Sequence, residues 1–311
     1  MLANVRFTLV RLVAVAACGA LMLPLAGCGK KSVDPAETGL AEGHYEITGQ
    51  IVGLQPDRRT LLIDHEAIPD FMPAMVMEFK VSSGDLANAV EGQRIRGETY
   101  QDEAGTFHLE KIWPVDAVAD ATVAAATSAL REDTSIRGRG AYREIGENLP
   151  DFALYDQDGK VVSGARFRGK KVLLNFIYTR CPIATMCPAA VAKMTAVQRA
   201  AADAGVKDFE LVSISFDPEF DTPGVLHTYA DDRGIDTSNY SFLTGPESAI
   251  RDLLKQLGVI AEVQGPLIQH SLATLLIDER GRIIDRADGT RWEPDQFLKR
   301  ILPRETTEPT S

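Results

Sequence analysis

The chain changes its hydrophobic period part-way along. From His44 to about Asp116, short stretches alternate apolar and polar residues with a period of two, as half-buried strands do. "YEITGQIVGL", "RTLLIDH", "MVMEFKV", "QRIRGETY" and "FHLEKIWPV" read as five strands, broken at "QPDRR", "SSGD" and "DEAG". So many strands in so short a stretch predict a small closed or nearly closed barrel, because closure removes the edges that would pair with other chains. From Arg143 onward, strands alternate with helical runs. "DFALYDQDGKVV" predicts a hairpin turning at Asp158-Gly159. "KKVLLNFIY" is a continuous apolar run, as expected of a strand covered on both faces. Val191, Met194 and Val197 then recur at helical spacing, with Gly205 placed to stop the helix. "FELVSISF", "YSFLT", "LATLLID" and "RIIDRA" follow as strands, and "PGVLHTYADDRG", "ESAIRDLLKQLG" and "EPDQFLKRIL" as helices.

A buried strand feeding a cysteine-bearing turn, then a helix, with a hairpin and helix at the end, is the thioredoxin order of elements. The expected architecture is therefore an α/β thioredoxin-like domain over residues 143–311, preceded by a small all-β, OB-like barrel over 44–116. Between them, the Ala-rich stretch 117–142 reads as a linker holding at most a short helix. At the amino end, Arg6 and Arg11 precede an apolar run from Leu12 to Leu25 that closes in "LAGC". The run is short for a bilayer span and suits a signal peptide. "LAGC" resembles the lipobox of bacterial lipoproteins, which implies a signal over residues 1–27, lipidation of Cys28 and a tether over 28–43. The expected location is the bacterial cell envelope, facing the periplasm from the inner or outer membrane.

Composition changes this picture in two ways. A net charge of −11 and a pI near 5.0 exclude a grip on phosphate backbones, so no nucleic-acid partner is expected. Of four cysteines, Cys18 falls in the signal and Cys28 takes the lipid. Cys181 and Cys187, in "TRCPIATMCPAAV", remain as the only free thiols of an exported chain. Pro188 suits the first turn of a helix, which places Cys187 at a helix N-terminus where thiolate is favoured. Thiolate character serves disulfide exchange and soft-metal binding alike. Dithiol oxidoreductases of this fold, however, keep two residues between their cysteines, and here there are five. They also carry a proline just before the penultimate strand, where this chain has His270, with Pro266 four residues earlier. A longer loop can spread two sulfurs around an ion, and an imidazole adds a third donor; such a set favours Cu(I).

At "LLNFIYTRCP", "VSISFDPEFDTP", "FLTG" and "HSLATLLID" the chain resembles the SCO/SenC family of copper proteins, from about Leu149 to Leu302. The resemblance implies a thioredoxin-like fold and copper held by Cys181, Cys187 and His270; apart from the resemblance, Met186 beside Cys187 is a candidate thioether donor, with a loop or packing role as its alternative. It also implies service to the copper site of cytochrome c oxidase, by copper delivery or by thiol reduction. The cysteine spacing is longer than the family's usual three residues, and Gln269 stands where an aspartate is usual. In the first domain, "IDHEAIPDFMPAMVMEFKV" places Met75 and Met77 on one face of a strand, with His65 at the end of the strand before. Two thioethers and an imidazole form a soft site that needs no thiol; the alternative is that the methionines line the barrel core. The stretch is similar to the copper/silver-binding barrels of bacterial Cus efflux systems, which implies His65, Met75 and Met77 as ligands, with Met72 in place of a capping tryptophan. His44, His108 and His227 are expected at the surface.

These readings combine into an envelope-anchored metallochaperone that binds copper as Cu(I) and passes it to a respiratory oxidase. A thiol–disulfide oxidoreductase, with Cys181 and Cys187 as its redox pair and a periplasmic thiol reductant as partner, is the rival. Copper sequestration is the third reading.

Overall fold

The computed structural model describes residues 43–264 and 267–302. The expected signal, Cys28, nearly all of the tether and Pro266 lie outside the described residues. Among those described, no helix is long and apolar enough to cross a membrane.

Strands β1 (Tyr45–Gln55), β2 (Thr60–His65), β3 (Met75–Lys80), β4 (Arg94–Gln101) and β5 (Phe107–Pro114) close into a barrel in the order β1-β2-β3-β5-β4. Its interior is the inward half of the alternating pattern, with Ile47, Ile51, Leu61, Ile63, Phe79 and Leu109 almost wholly buried. "SSGD" is more than a break. It opens a short helix, α1 (Ser83–Asn88), whose N-cap Ser82 accepts from Asp85 N and donates from Oγ to Asp85 Oδ2 at 2.6 Å.

The stretch expected to link the domains with at most a short helix instead forms a 21-residue helix, α2 (Ala117–Arg137). Asp116 caps it by accepting from Val118 N and Ala119 N. Val123 and Leu130, two turns apart on one face, are buried; Val123 packs with Ala153 and Tyr155, and Leu130 enters the α/β core. The Ala-rich composition suits helix formation, and these two residues bind the helix to the second domain.

That domain is built on a five-stranded sheet in the order β10-β9-β8-β13-β14. Its strands are β8 (Lys171–Ile177), β9 (Phe209–Ser215), β10 (Tyr240–Leu243), β13 (Ala273–Ile277) and β14 (Ile283–Asp288). β8, β9 and β10 run parallel, and β13 is antiparallel to β8. Helices α3 (Cys187–Asp203), α4 (Pro223–Asp232), α5 (Glu247–Gln256) and α6 (Pro294–Ile301) pack on it. Two hairpins stand apart from the sheet: β6 (Ala153–Tyr155) with β7 (Val161–Ser163), and β11 (Ala261–Gln264) with β12 (Leu267–His270).

Both domains fall in one compact unit. α1 of the barrel lies on α4, and the approach is close enough that a Cβ on Gly84 would overlap the carbonyl oxygen of Gly224. Gly84 N donates to Thr228 Oγ1 at 3.0 Å, and Asn88 Nδ2 donates to Gln157 O at 2.7 Å. Asp85 is sealed into this contact. Burial raises its carboxyl to about 6 against the opposing hydrogen bond from Ser82.

Candidate metal centre

The fold brings together the three residues singled out in the second domain. Cys181 lies in the turn that leaves β8, Cys187 is the first residue of α3, and His270 ends β12. Pro188 occupies the first turn of α3, as its missing N–H permits. Register places His270 opposite Ala261, so the β11–β12 hairpin carries the imidazole to the cysteine turn. The two sulfurs and an imidazole nitrogen lie within 4.8 Å of one another, and Cys187 Sγ is 3.9 Å from His270 Nε2. Both thiols are free and buried. Ligand bonds near 2 Å require only a small contraction of such a triangle around an ion. His270 Nδ1 faces the Ser271 carbonyl at 3.3 Å, so Nδ1 carries the proton and Nε2 turns its lone pair toward the sulfurs. Burial also lowers the imidazole below its ordinary value, which keeps it neutral and able to bind a metal.

The electrostatics of Cys187 differ from the sequence expectation. The helix N-terminus was expected to favour thiolate, yet burial and the adjacent Cys181 push the Cys187 thiol up. Cys187 is fully buried, and loss of hydration outweighs the first-turn amides. A cation that displaces the proton supplies the missing compensation.

Residues of the sequence motifs that flank the cysteines support the site, in roles that local sequence does not reveal. Tyr178 and Phe216 wall the imidazole, with ring centroids 5.5 and 4.6 Å from His270. Fully buried Asp221 accepts from Thr179 N at 3.0 Å, from Thr179 Oγ1, and from Ser215 Oγ at 2.5 Å. Asp217 accepts from Arg180 Nε at 2.6 Å. These carboxylates, from "VSISFDPEFDTP", fix the turn just before Cys181. The signal is two aspartates directly after the strand "FELVSISF", which need donors once buried. Gln269 is exposed and pairs in register with Glu262, on the strand face opposite His270. Met186 is half-buried and borders the same opening as His270.

In the barrel, His65 and Met75 are direct cross-strand partners, and Ile63 faces Met77. His65 is buried, its Nδ1 faces the Glu66 carbonyl at 2.7 Å, and its Nε2 has no hydrogen-bond partner. The protonated Nδ1 leaves a buried lone pair at Nε2, the state in which imidazole binds a metal. Met77 is half-buried against the barrel core, whereas Met75 is 45% exposed. Met72 is held in a tight turn by mutual backbone bonds with Ile68 and packs on the same core.

The histidines expected at the surface are partly covered. His44 stacks on Tyr100 and approaches Glu98 and Glu110, but Glu98 is already paired with Lys111 at 2.9 Å. His108 bonds to Asp102 at 2.9 Å, and His227 sits between Asp158 and Asp231.

Comparison with known proteins follows the same division. The SCO1/SenC family model matches residues 141–303, and the model for the copper binding periplasmic protein CusF matches residues 44–114. A SCO1 protein homolog of Bacillus subtilis is 31% identical over 147 residues, which are 46% of this chain and 75% of that protein. A mitochondrial SCO2 homolog of Bos taurus is 31% identical over 183 residues, 55% of this chain and 66% of that protein. Among solved structures, Bradyrhizobium japonicum ScoI with copper bound is 29% identical, with 51% of this chain and 100% of that one covered and a TM-score of 0.42.

Proposed function

This chain belongs to the SCO1/SenC family, and from that premise we propose that it is an extracytoplasmic copper chaperone that binds Cu(I) and delivers it to the copper centre of a respiratory oxidase. The observation that carries the reading is the meeting of Cys181, Cys187 and His270 with their donor atoms within 4.8 Å. Two soft sulfurs and a neutral imidazole select Cu(I) over harder ions and leave room for an incoming ligand. Transfer proceeds by exchange: an acceptor thiolate bonds to the ion, one of the chain's own donors leaves, and the oxidation state of copper is unchanged throughout. The barrel adds a second copper site at His65, Met75 and Met77, supported by the unpartnered His65 Nε2 and by the match to CusF. The chain is held at the periplasmic face of a membrane through lipidated Cys28.

A Cu(I) titration of the reduced chain tests both sites. Two ions bind, and one binds after Cys181→Ser and Cys187→Ser. A stoichiometry untouched by that change removes the Cys₂His assignment. Burial of both sulfurs argues against a freely exchanging dithiol. Copper-free reduction of an oxidised oxidase copper-site fragment would favour the oxidoreductase instead.

A further inference from the structure

The connecting helix has a second consequence. Between α2 and α5 runs a cleft of about 700 Å³, lined by Arg131, Arg139, Arg251 and Lys255 and by one carboxylate, Asp252. In a chain of net charge −11 this is a local reversal of sign. Asp252 is buried and leans toward Lys255 at 3.9 Å. Neighbouring Arg137 and Arg143 are paired with Asp133, and Arg251 pairs within its own helix with the exposed Glu247, a contact that an incoming carboxylate would have to exchange, whereas Arg131 and Arg139 make no ion pair among the described residues. The cleft does not end blindly. It shares Tyr142, Gly258 and Ile260 with a second opening, of about 510 Å³, that holds His270 and Met186. The shared floor is apolar and exposed, Ile260 by 62% and Tyr142 by 47%. It is also stiff. The Tyr142 ring lies against Gly258, whose φ of +64° and lack of Cβ allow the contact, and the Arg286 guanidinium stands 5.6 Å from the ring centroid.

We propose that this cleft is a docking groove for an acidic polypeptide segment of the protein that exchanges copper with the Cys181–Cys187–His270 centre. The inference rests on the chaperone reading for the identity of the partner, though not for the binding itself. Carboxylates of the segment meet the guanidinium forks of Arg131, Arg139 and Arg251, and an apolar side chain covers Ile260 and Tyr142. The volume and the apolar floor exceed what a single small anion fills. Exposed ion pairs are individually weak, so the groove contributes fast, salt-sensitive association rather than a permanent complex. That suits a partner that must leave once the ion has moved. A segment lying along the groove is led by its floor to the opening beside His270.

Fluorescence anisotropy of a labelled peptide of alternating glutamate and leucine, titrated with the full copper-free chain, tests the groove. Binding is saturable and weakens with added salt. The R131E/R139E/R251E chain loses about tenfold or more in affinity, equivalent to about 1.4 kcal/mol or more. Ile260→Ser weakens binding severalfold, and R58E/R94E/K160E, an equal charge change elsewhere, leaves it unaltered. Amide shifts on binding fall within residues 131–142 and 248–260. An unchanged unfolding temperature and Cu(I) stoichiometry show that the groove variants remain folded. The proposal is overturned by equal losses in the two triple variants, or by undiminished binding in both groove variants. Displacement of the peptide by citrate at equal carboxylate concentration also overturns it and makes the cleft a small-anion site. Peptide binding is read without copper, so its failure leaves the chaperone reading standing, and failure of the copper titration leaves the groove.

Discussion

The barrel and the α/β domain each present an imidazole prepared in the same way and surround it with opposite chemistry. In both, Nδ1 faces a backbone carbonyl, at His65 through Glu66 and at His270 through Ser271, which leaves the lone pair on Nε2, the proposed ligand atom. Beyond that they diverge. His270 meets two buried thiols, one of them pushed up in pKa by burial, whereas His65 faces a 45%-exposed thioether. A thiol must lose a proton and stay reduced before it binds copper; a thioether requires neither. On the proposed ligand sets, the difference separates a site whose loading is conditional from one that would stay open to copper under oxidising conditions.

The largest expected effect breaks the comparison outright. Treating the chain with a disulfide-forming oxidant removes the Cys181–Cys187 site and leaves the barrel, so Cu(I) stoichiometry falls from two to one and returns on reduction. Loss of both ions would show that the barrel depends on the thiols. The next effect is graded. Because the Cys187 thiol is raised, it is protonated at neutral pH and copper must displace that proton. Affinity at this site therefore rises by about tenfold per pH unit for each thiol proton released, while the thioether pair adds no such slope. Competition against a Cu(I) chelator between pH 6 and 8, on variants retaining one site each, reads the two slopes; equal slopes would refute the distinction.

These two sites were not equally legible. The five barrel strands and the order of elements in the α/β domain follow from local periodicity, which depends only on which face is buried. The Cys181, Cys187 and His270 set was readable because its residue types are rare in this chain and lie beside strongly patterned strands. What escaped depended on contacts distant in sequence. "SSGD" reads as a turn until α4 covers it, and 117–142 reads as a linker because only Val123 and Leu130 mark its buried face. The expected thiolate at Cys187 failed for the same reason: the helix end is local, but the packing that desolvates the sulfur is not. The β11–β12 hairpin that carries His270 has too few residues to show a period.

Where the two regions meet, Asp85 offers a smaller test. Its carboxyl is raised from 3.8 to about 6, chiefly by burial, with Glu110 adding to the rise and Ser82 and His227 opposing it. The folded chain holds this proton more tightly than the unfolded one. The associated stability is thus complete below about pH 4 and is lost as pH climbs through 6, amounting to about 3 kcal/mol. Asp85→Asn keeps an acceptor for Ser82 Oγ and removes the charge. Denaturant unfolding at pH 5 and pH 8 should show the variant losing less stability over that interval than the parent. Asp221 is shifted in the same direction in both proteins and cancels in the difference. An identical pH response in the two chains would mean that the domain contact opens enough to hydrate the carboxylate.

The smallest effect on stability separates ligand from core within the barrel. Met75 and Met77 share a strand face, but Met75 is exposed and Met77 packs on the core. Met75→Leu keeps the shape and removes the sulfur, so unfolding should shift by no more than about 0.5 kcal/mol, as for a surface change. Met77→Leu is also nearly volume-conserving and should cost less than about 1.5 kcal/mol. Each should nevertheless weaken Cu(I) binding at the barrel, measured in the Cys181→Ser/Cys187→Ser background. If both thioethers bind the ion, the copper effect is similar for the two variants while the stability effect differs. If Met75→Leu leaves copper untouched, the methionines are lining and the unpartnered Nε2 of His65 is a buried polar defect of the core. Met75 lies outside the barrel core, so its side-chain shape contributes little to packing and its sulfur is what the substitution tests, which makes the exposed position the sharper of the two tests.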